Sequence, residues 1–333
     1  MSNVYIQSMG HYHPENELGN DFIDSLDIGS NAQWVQERTG IEARRSVLDT
    51  EDIIAIKEGR ETLDSVRKKG RVPTIASIAK PAWGMLTERL GQAADPDLLI
   101  CGTSVPDYDI PANGCTIAAE LDMSCAAFDA NSACSSFIVN LHLARSLIAS
   151  KQHKNVAVFN PERYSLRIDF NDRNSCVLFG DGSSAAYVSE TSRPGALRVI
   201  DTVVASDPKG FDLVKIPDGE YFTQNGKAVQ KFAITRTIEV TKALLDRNRL
   251  SPEGISYFTG HQANLRMVLS ASERLGFAPE KHLYNVDKFG NQGAAGAPAV
   301  LSMNWDRFQS GDKIVVAVVG SGLTWGAALL ERV

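Results

Sequence analysis

The chain has 333 residues, 43% of them hydrophobic, enough to bury a large core in one big domain or two closely packed ones, which excludes a disordered chain. Its 40 acidic and 34 basic residues leave a net charge of −6, so nothing in the overall balance favours nucleic acid or an anionic membrane as a partner. An anionic ligand would need a local cluster of cations.

In chain order, the opening stretch MSNVYIQSMG lacks a basic leader and an apolar signal core, and no apolar run reaches the ~20 residues of a spanning helix. A soluble, cytoplasmic protein is expected. The segment 49–74, DTEDIIAIKEGRETLDSVRKKGRVPT, is strongly charged. Its Arg67, Lys68, Lys69 and Arg71 read first as a solvated helix face and second as a contact for an acidic partner. Apolar runs short enough for buried strands follow at 97–104, 154–162, 175–190, 255–261 and 312–322. They alternate with segments of helical period at 114–121, 137–149, 230–248 and 264–276. Strands alternating with helices predict an α/β fold, and no Pro/Gly/Ser linker separates independent domains. The five cysteines are odd in number, widely spaced and without a CxxC pair, so neither a disulfide framework nor a zinc site is expected.

Two segments echo one another: GDGSSAAYV (180–188) and GSGLTWGAALL (320–330) each carry Gly-x-Gly and then small and apolar residues after a strand-like run. Neither is a dinucleotide fingerprint, because the third glycine and the ribose-binding acid are missing.

Three residues could do chemistry together. Cys134, in NSACSSF, stands where the helical segment 137–149 begins, and the positive end of a helix dipole favours thiolate there. His261, in YFTGHQANLR, follows a strand-like run at a position from which side chains reach into sites. Asn291, in KFGNQGAAGAP, sits among small residues that let backbone or ligand come close. Each alone reads as readily as a core thiol, a capping histidine or a turn asparagine. As a set they suit acyl transfer from a thioester, since the amide and a neutral imidazole can donate to an oxyanion or enolate that a carboxylate would repel.

With those residues in view, the sequence resembles β-ketoacyl-acyl carrier protein synthase III, a condensing-enzyme family of the thiolase superfamily. The motifs that carry the resemblance are WVQERTGIEAR (34–44), TSVPDYDIP (103–111), FDANSACSSF (128–137), DRNSCVLFGDGSSA (172–185), GHQANLR (260–266), FGNQGAAGAP (289–298) and GSGLTWGAAL (320–329). The resemblance implies a thiolase-like duplicated α/β/α/β/α five-layer sandwich. Its N-terminal half, 1–190, would carry the cysteine, and its C-terminal half, 191–333, the histidine and asparagine. It implies Cys134 as nucleophile with His261 and Asn291, and an oxyanion hole from the backbone N–H groups of Cys134 and Ser321. It further implies CoA or phosphopantetheine contacts at Trp34, Arg38, Arg173 and Arg266, and Ile110 in the acyl pocket of a neighbouring subunit. The implied reaction is acyl transfer from acyl-CoA to Cys134, then decarboxylative condensation with malonyl-acyl carrier protein in a homodimer, with no metal or other cofactor. Ser136 stands where many relatives have glycine and QGAAG (292–296) where they have a TSAAS-type run, and the stretch FNPERYSLRIDFNDRNS (159–175) resembles branches of the family that use longer acyl primers or serve specialised pathways. The altered 292–296 run leaves a specialised-metabolism acyltransferase or condensing enzyme with another acceptor as the alternative. A non-catalytic partner subunit ranks last, since the three residues are intact.

Overall fold

The computed structural model describes residues 3–333. Nine strands form one mixed sheet: β1 (Tyr5–Tyr12), β2 (Leu98–Cys101), β3 (Ala126–Asp129), β4 (Asn155–Glu162), β5 (Gly182–Ser189), β6 (Leu197–Ser206), β7 (Tyr257–Gly260), β8 (Lys313–Gly320) and β9 (Thr324–Arg332). Their spatial order is β7-β8-β9-β6-β1-β5-β4-β2-β3. This is one topology used twice. In the first unit β2 lies between β3 and β4, parallel to both, and β4 runs antiparallel to β5, which pairs with β1. In the second, β7 is parallel to β8 and makes a parallel bridge from Phe258 to His282, β8 is antiparallel to β9, and β9 pairs with β6. Within the sheet, among the described residues, the strands of the two units pair only through Tyr5 and Ile6 of β1 against Arg198 and Leu197 of β6.

Six helices complete the layers: α1 (Ile75–Leu90), α2 (Asn113–Glu120), α3 (Ser136–Ala149), α4 (Gly226–Arg247), α5 (Leu265–Leu275) and α6 (Gly296–Met303). Side-chain alternation along the strands assigns them. On β8, Ile314, Val316 and Val318 face a central core with Leu141 of α3 and Val300 of α6, whereas Val315 and Ala317 face Leu244 of α4 and Leu275 of α5. In the first unit Ile100 and Val158 join the same central core, while Leu99 and Phe159 face Leu86 of α1 and Ile117 of α2. The layers are therefore α1/α2, first sheet half, α3/α6, second sheet half, α4/α5: the five-layer duplicated sandwich. The echoing segments become β5 and β9, equivalent strands of the two units.

Local signals fix the helix ends. The Thr74 side chain accepts from Ser77 N–H at the start of α1, Asn264 accepts from Arg266 and Met267 N–H at the start of α5, and Gly91 and Gly276 end these helices in left-handed conformation. A further apolar cluster, including Val35, Ile53, Tyr164, Phe179 and Phe222, belongs to segments that cover the sandwich at the carboxyl ends of the parallel strands. The charged segment 49–74 lies here as two short helices, Thr50–Lys57 and Leu63–Lys68. Its cations are largely spoken for: Arg71 pairs with buried Asp52 at 2.7 Å, Arg67 with Asp64 at 3.4 Å, and Lys69 with Glu61.

Candidate active site

Most residues of the candidate site lie at or just past the carboxyl end of a strand, whereas Asn291 follows the short helix Val286–Phe289 and is bridged to Phe179. β2 leads into Thr103 and Ser104, β3 into Cys134, β7 into His261 and β8 into Ser321, while Glu162 closes β4. Open α/β sheets commonly place ligands at such ends. Cys134 occupies a short 3-10 turn, Ala133–Ser135, that runs directly into α3. Asn291 precedes the equivalent turn, Gly293–Ala295, which runs into α6. The two approaches match in detail. Asn131 Oδ1 accepts from Ala133 N–H at 2.9 Å and Asn291 Oδ1 from Gly293 N–H at 3.0 Å. Ala133 and Gly293 both have positive φ, 46° and 54°.

A cavity of about 930 Å³ is lined by Cys134, His261, Asn291 and Ser321, and toward its mouth by Trp34, Arg38 and Arg173. The Arg38 and Arg173 guanidiniums lie 5.8 and 5.3 Å from the Trp34 ring centroid, a cationic rim around an aromatic plate. Arg266 does not line this cavity; it is exposed on the first turn of α5, whose cap Asn264 and Met267 face the cavity instead. Ile110 is also absent from the lining and stands 86% exposed on a loop beyond β2. Its expected acyl-pocket role has no counterpart within a single chain.

The strand end after β8 presses on the cysteine turn. A Cβ on Gly320 would lie 3.1 Å from Cys134 N and 2.8 Å from Ser135 N, so only glycine allows this approach. Ser321, next along, joins the cavity wall and donates its hydroxyl to Val214 O. Gln262 braces the His261 turn: its Nε2 donates to Gly260 O at 2.7 Å and its Oε1 accepts from Asn285 N–H at 2.9 Å. The Asn291 amide is oriented by Gly293, so its oxygen is occupied and its Nδ2 is left to donate.

The electrostatics correct one expectation. A helix start should lower the Cys134 pKa, yet here the thiol is pushed up to about 12, first by burial and then by the Glu162 carboxylate, against smaller help from Tyr164 and the backbone. The helix dipole loses to desolvation in this position. Burial also pulls His261 down to about 4, and its Nδ1 has no protein partner. At neutral pH the pair is therefore thiol and uncharged imidazole, not an ion pair. A neutral imidazole suits donation to a developing anion.

Sequence reasoning assigned no role to Glu162, Tyr164 or Ser104; Ser104 lies inside the motif 103–111, whereas Glu162 and Tyr164 fall between the motifs, in the stretch 159–175. Tyr164 Oη is 3.8 Å from Cys134 Sγ and donates to Ser104 Oγ at 2.9 Å. Its ring stacks on Phe179 at 4.5 Å and meets Phe222 edge-on at 6.3 Å. The usable signal was ERY (162–164), a charged and aromatic run ending an otherwise apolar strand.

Comparison with known proteins agrees with this architecture. The family model for 3-oxoacyl-[acyl-carrier-protein] synthase III matches residues 128–208, and the model for its C-terminal part matches 245–332. The chain is 32% identical to the β-ketoacyl-[acyl-carrier-protein] synthase III of Aliarcobacter butzleri, over 98% of this chain and 96% of the other. It is also 32% identical to that of Clostridium beijerinckii, over 99% and 100%. The crystal structure of the 3-oxoacyl-[acyl-carrier-protein] synthase III of Aquifex aeolicus superposes with a TM-score of 0.87 at 30% identity, covering 98% of this chain and 99% of that one.

Proposed function

Since the chain belongs to the 3-oxoacyl-[acyl-carrier-protein] synthase III family, we propose that it moves an acyl group from acyl-CoA to Cys134 and then condenses it with malonyl-acyl carrier protein, giving β-ketoacyl-acyl carrier protein, carbon dioxide and CoA. The observation that carries this reading is the meeting of Cys134, His261, Asn291 and Ser321 on one cavity deep enough for an acylated pantetheine arm.

In the first half-reaction the Cys134 sulfur attacks the thioester carbonyl. The negative charge that forms on oxygen is held by the N–H groups of Cys134 and Ser321, fixed main-chain donors that need no rearrangement when the charge appears. A main-chain donor tolerates serine at 321, and Gly320 keeps the two segments within reach of each other. CoA then leaves. In the second, loss of carbon dioxide puts an electron pair into the malonyl thioester, and the charge on its oxygen falls to His261 and Asn291. Both are neutral donors, Asn291 oriented by Gly293 and His261 uncharged because its pKa is held near 4. The resulting carbanion attacks the acyl carbon on Cys134. Each half-reaction is redox-neutral overall, with no electrons passed to or from another molecule, so the reading calls for no redox cofactor.

The cationic rim of Arg38 and Arg173 beside Trp34 suits the phosphates and adenine of CoA. Catalysis on this reading draws on both units, 1–190 for the cysteine and 191–333 for the histidine and asparagine. No helix among the described residues is long and apolar enough to cross a membrane, and the reading places the enzyme in the cytoplasm with its thioester substrates.

Mass spectrometry of protein mixed with a series of acyl-CoA thioesters tests the proposal. Wild type should gain one acyl group on Cys134 and release CoA, Cys134→Ala should do neither, and Asn291→Ala should acylate but lose roughly 10²–10³-fold in condensation with malonyl-carrier protein. Equal acylation of wild type and Cys134→Ala would refute it.

A further inference from the structure

Behind the Cys134 sulfur runs a series of polar groups that the two half-reactions leave without a task. The Tyr164 hydroxyl lies 3.8 Å from the sulfur and donates to Ser104 Oγ at 2.9 Å, and Ser104 Oγ donates to Glu162 Oε1 at 3.2 Å. With its single proton donated to Ser104, the phenol oxygen accepts from the thiol; turned to the sulfur, the same proton would steady a thiolate, which is the contact that opposes the rise in the thiol pKa. With the phenol proton on Ser104, every hydrogen bond in the series points from the sulfur to the carboxylate.

Glu162 is fully buried and has no cationic partner among the described residues. Its oxygens accept only from neutral donors: Ser104 N–H at 2.9 Å, Thr103 Oγ1 at 3.4 Å and Ala294 N–H at 3.3 Å, besides Ser104 Oγ. A buried carboxylate without a counter-charge takes a proton readily, and burial pushes Glu162 up to about 7. His261, pulled down to about 4, is a much weaker acceptor. The titratable groups facing Glu162 are Cys134 at the start of α3, Tyr164 just beyond β4, and Cys101 on β2.

The arrangement is held in place. The Tyr164 ring is fixed between Phe179 and Phe222. A Cβ on Gly293 would come within 2.4 Å of Tyr164 Cε2 and 2.9 Å of Glu162 Oε1, so the glycine of QGAAG is what makes room for both groups. The departure at 292–296 and the polar series behind the sulfur are one feature.

We propose that Tyr164, Ser104 and Glu162 form a proton relay that stores the Cys134 proton on Glu162 during acyl transfer and returns it during condensation. The proposal rests on the reading of Cys134 as nucleophile. As the sulfur bonds to the thioester carbon, its proton passes to the Tyr164 oxygen, the phenol proton to Ser104 Oγ and the Ser104 proton to Glu162. The carbon–sulfur bond to CoA then breaks, and CoA leaves as thiolate and takes a proton from solvent. In condensation the electron pair freed by carbon dioxide forms the new carbon–carbon bond, and the bond from Cys134 to the acyl carbon breaks to give thiolate. The three shifts reverse and Glu162 returns the proton to sulfur. One solvent proton is consumed per turnover, ending on the thiol of CoA. Tyr164 touches the reacting sulfur and is catalytic in this scheme, whereas Ser104 and Glu162 act through it.

Rapid-quench acylation by acetyl-, butyryl- and octanoyl-CoA, run in water and deuterium oxide, tests the relay with wild type, Tyr164→Phe and Glu162→Gln. Tyr164→Phe keeps the ring stack and removes only the bridging oxygen. It should acylate Cys134 at least tenfold more slowly, with a reduced solvent isotope effect and an altered pH profile. A merely structural role would change the melting temperature without moving the isotope effect. Wild-type rate and isotope effect in Tyr164→Phe would overturn the relay and leave the nucleophile standing. Failure of all three thioesters to acylate wild type would instead overturn the functional reading beneath it. Should Glu162→Gln not fold, Tyr164→Phe decides alone.

Discussion

Buried titratable residues set how this molecule responds to acid. His11, His261 and His282 are pulled down to about 4 and His13 to about 3, chiefly by burial. The unfolded chain therefore binds more protons than the folded one between those values and the ordinary histidine range, so these four groups make stability rise with pH across that window. Asp181 and Glu162, pushed up to about 6 and about 7, act oppositely, favouring the folded state at low pH and losing that contribution as pH climbs through their folded values. Four histidines outweigh two carboxyls. The urea midpoint should fall on going from pH 6.5 to pH 4.5, and a midpoint that rises over that interval would contradict the assignment. The same residues mark the limit of inference from spacing. Cys134, His261 and Asn291 were legible from local signals: Cys134 at the start of a helical segment, His261 after a strand-like run and Asn291 among small residues. The thiol's raised pKa was not, since it depends first on burial in the folded protein and then on Glu162, 28 positions away in sequence and adjacent only after β4 forms.

Secondary elements were legible where their period was clean. The runs at 154–162, 255–261 and 312–322 became β4, β7 and β8, and 137–149 became α3. The run 175–190 was only half right. Residues 175–178 form turns, with Ser175, Val177 and Leu178 on the cavity wall, Phe179 makes a lone parallel bridge to Asn291, and β5 begins at Gly182, because Asp172 accepts hydrogen bonds that coil the chain before it can extend. The start of helix α6 was hidden in the last residues of FGNQGAAGAP, whose glycines and proline read as loop, although Gly296 allows a close approach to Gln262, where a Cβ would lie 3.0 Å from Gln262 Cβ. The finer sign of duplication, Asn131 mirrored by Asn291, lay outside the echoing segments, because two asparagines with different neighbours carry no pattern until their hydrogen bonds are seen. Contact between β1 and α1 is equally tight: a Cβ on Gly10 would lie 1.9 Å from Ala82 O. Gly10→Ala must push the helix off the strand. It should cost about 1–3 kcal/mol, read as a lower thermal midpoint, and an unchanged midpoint would mean that this interface yields easily.

At the scale of the whole molecule the single chain has an unfinished side. Strand β3 ends the sheet with one edge free and Phe128 37% exposed, and the neighbouring loop presents Tyr108 and Ile110 at 54% and 86% exposure. An uncovered strand edge beside large apolar side chains invites pairing with a like strand. We propose a two-fold homodimer joined there, in which Ile110 reaches the neighbour's site. Sedimentation velocity should give twice the 36.2 kDa chain mass, and Phe128→Lys with Ile110→Lys should halve it; a wild-type monomer at micromolar concentration would exclude the arrangement. Within each copy, α3 and α6 are packed between the sheet halves, which fixes where their leading ends lie. A sulfur placed at the bottom of a shared well makes the order of visitors a matter of geometry. The spent donor must quit the entrance before the second guest can lower its arm, which is the pattern kineticists recognise as parallel lines in a double-reciprocal plot.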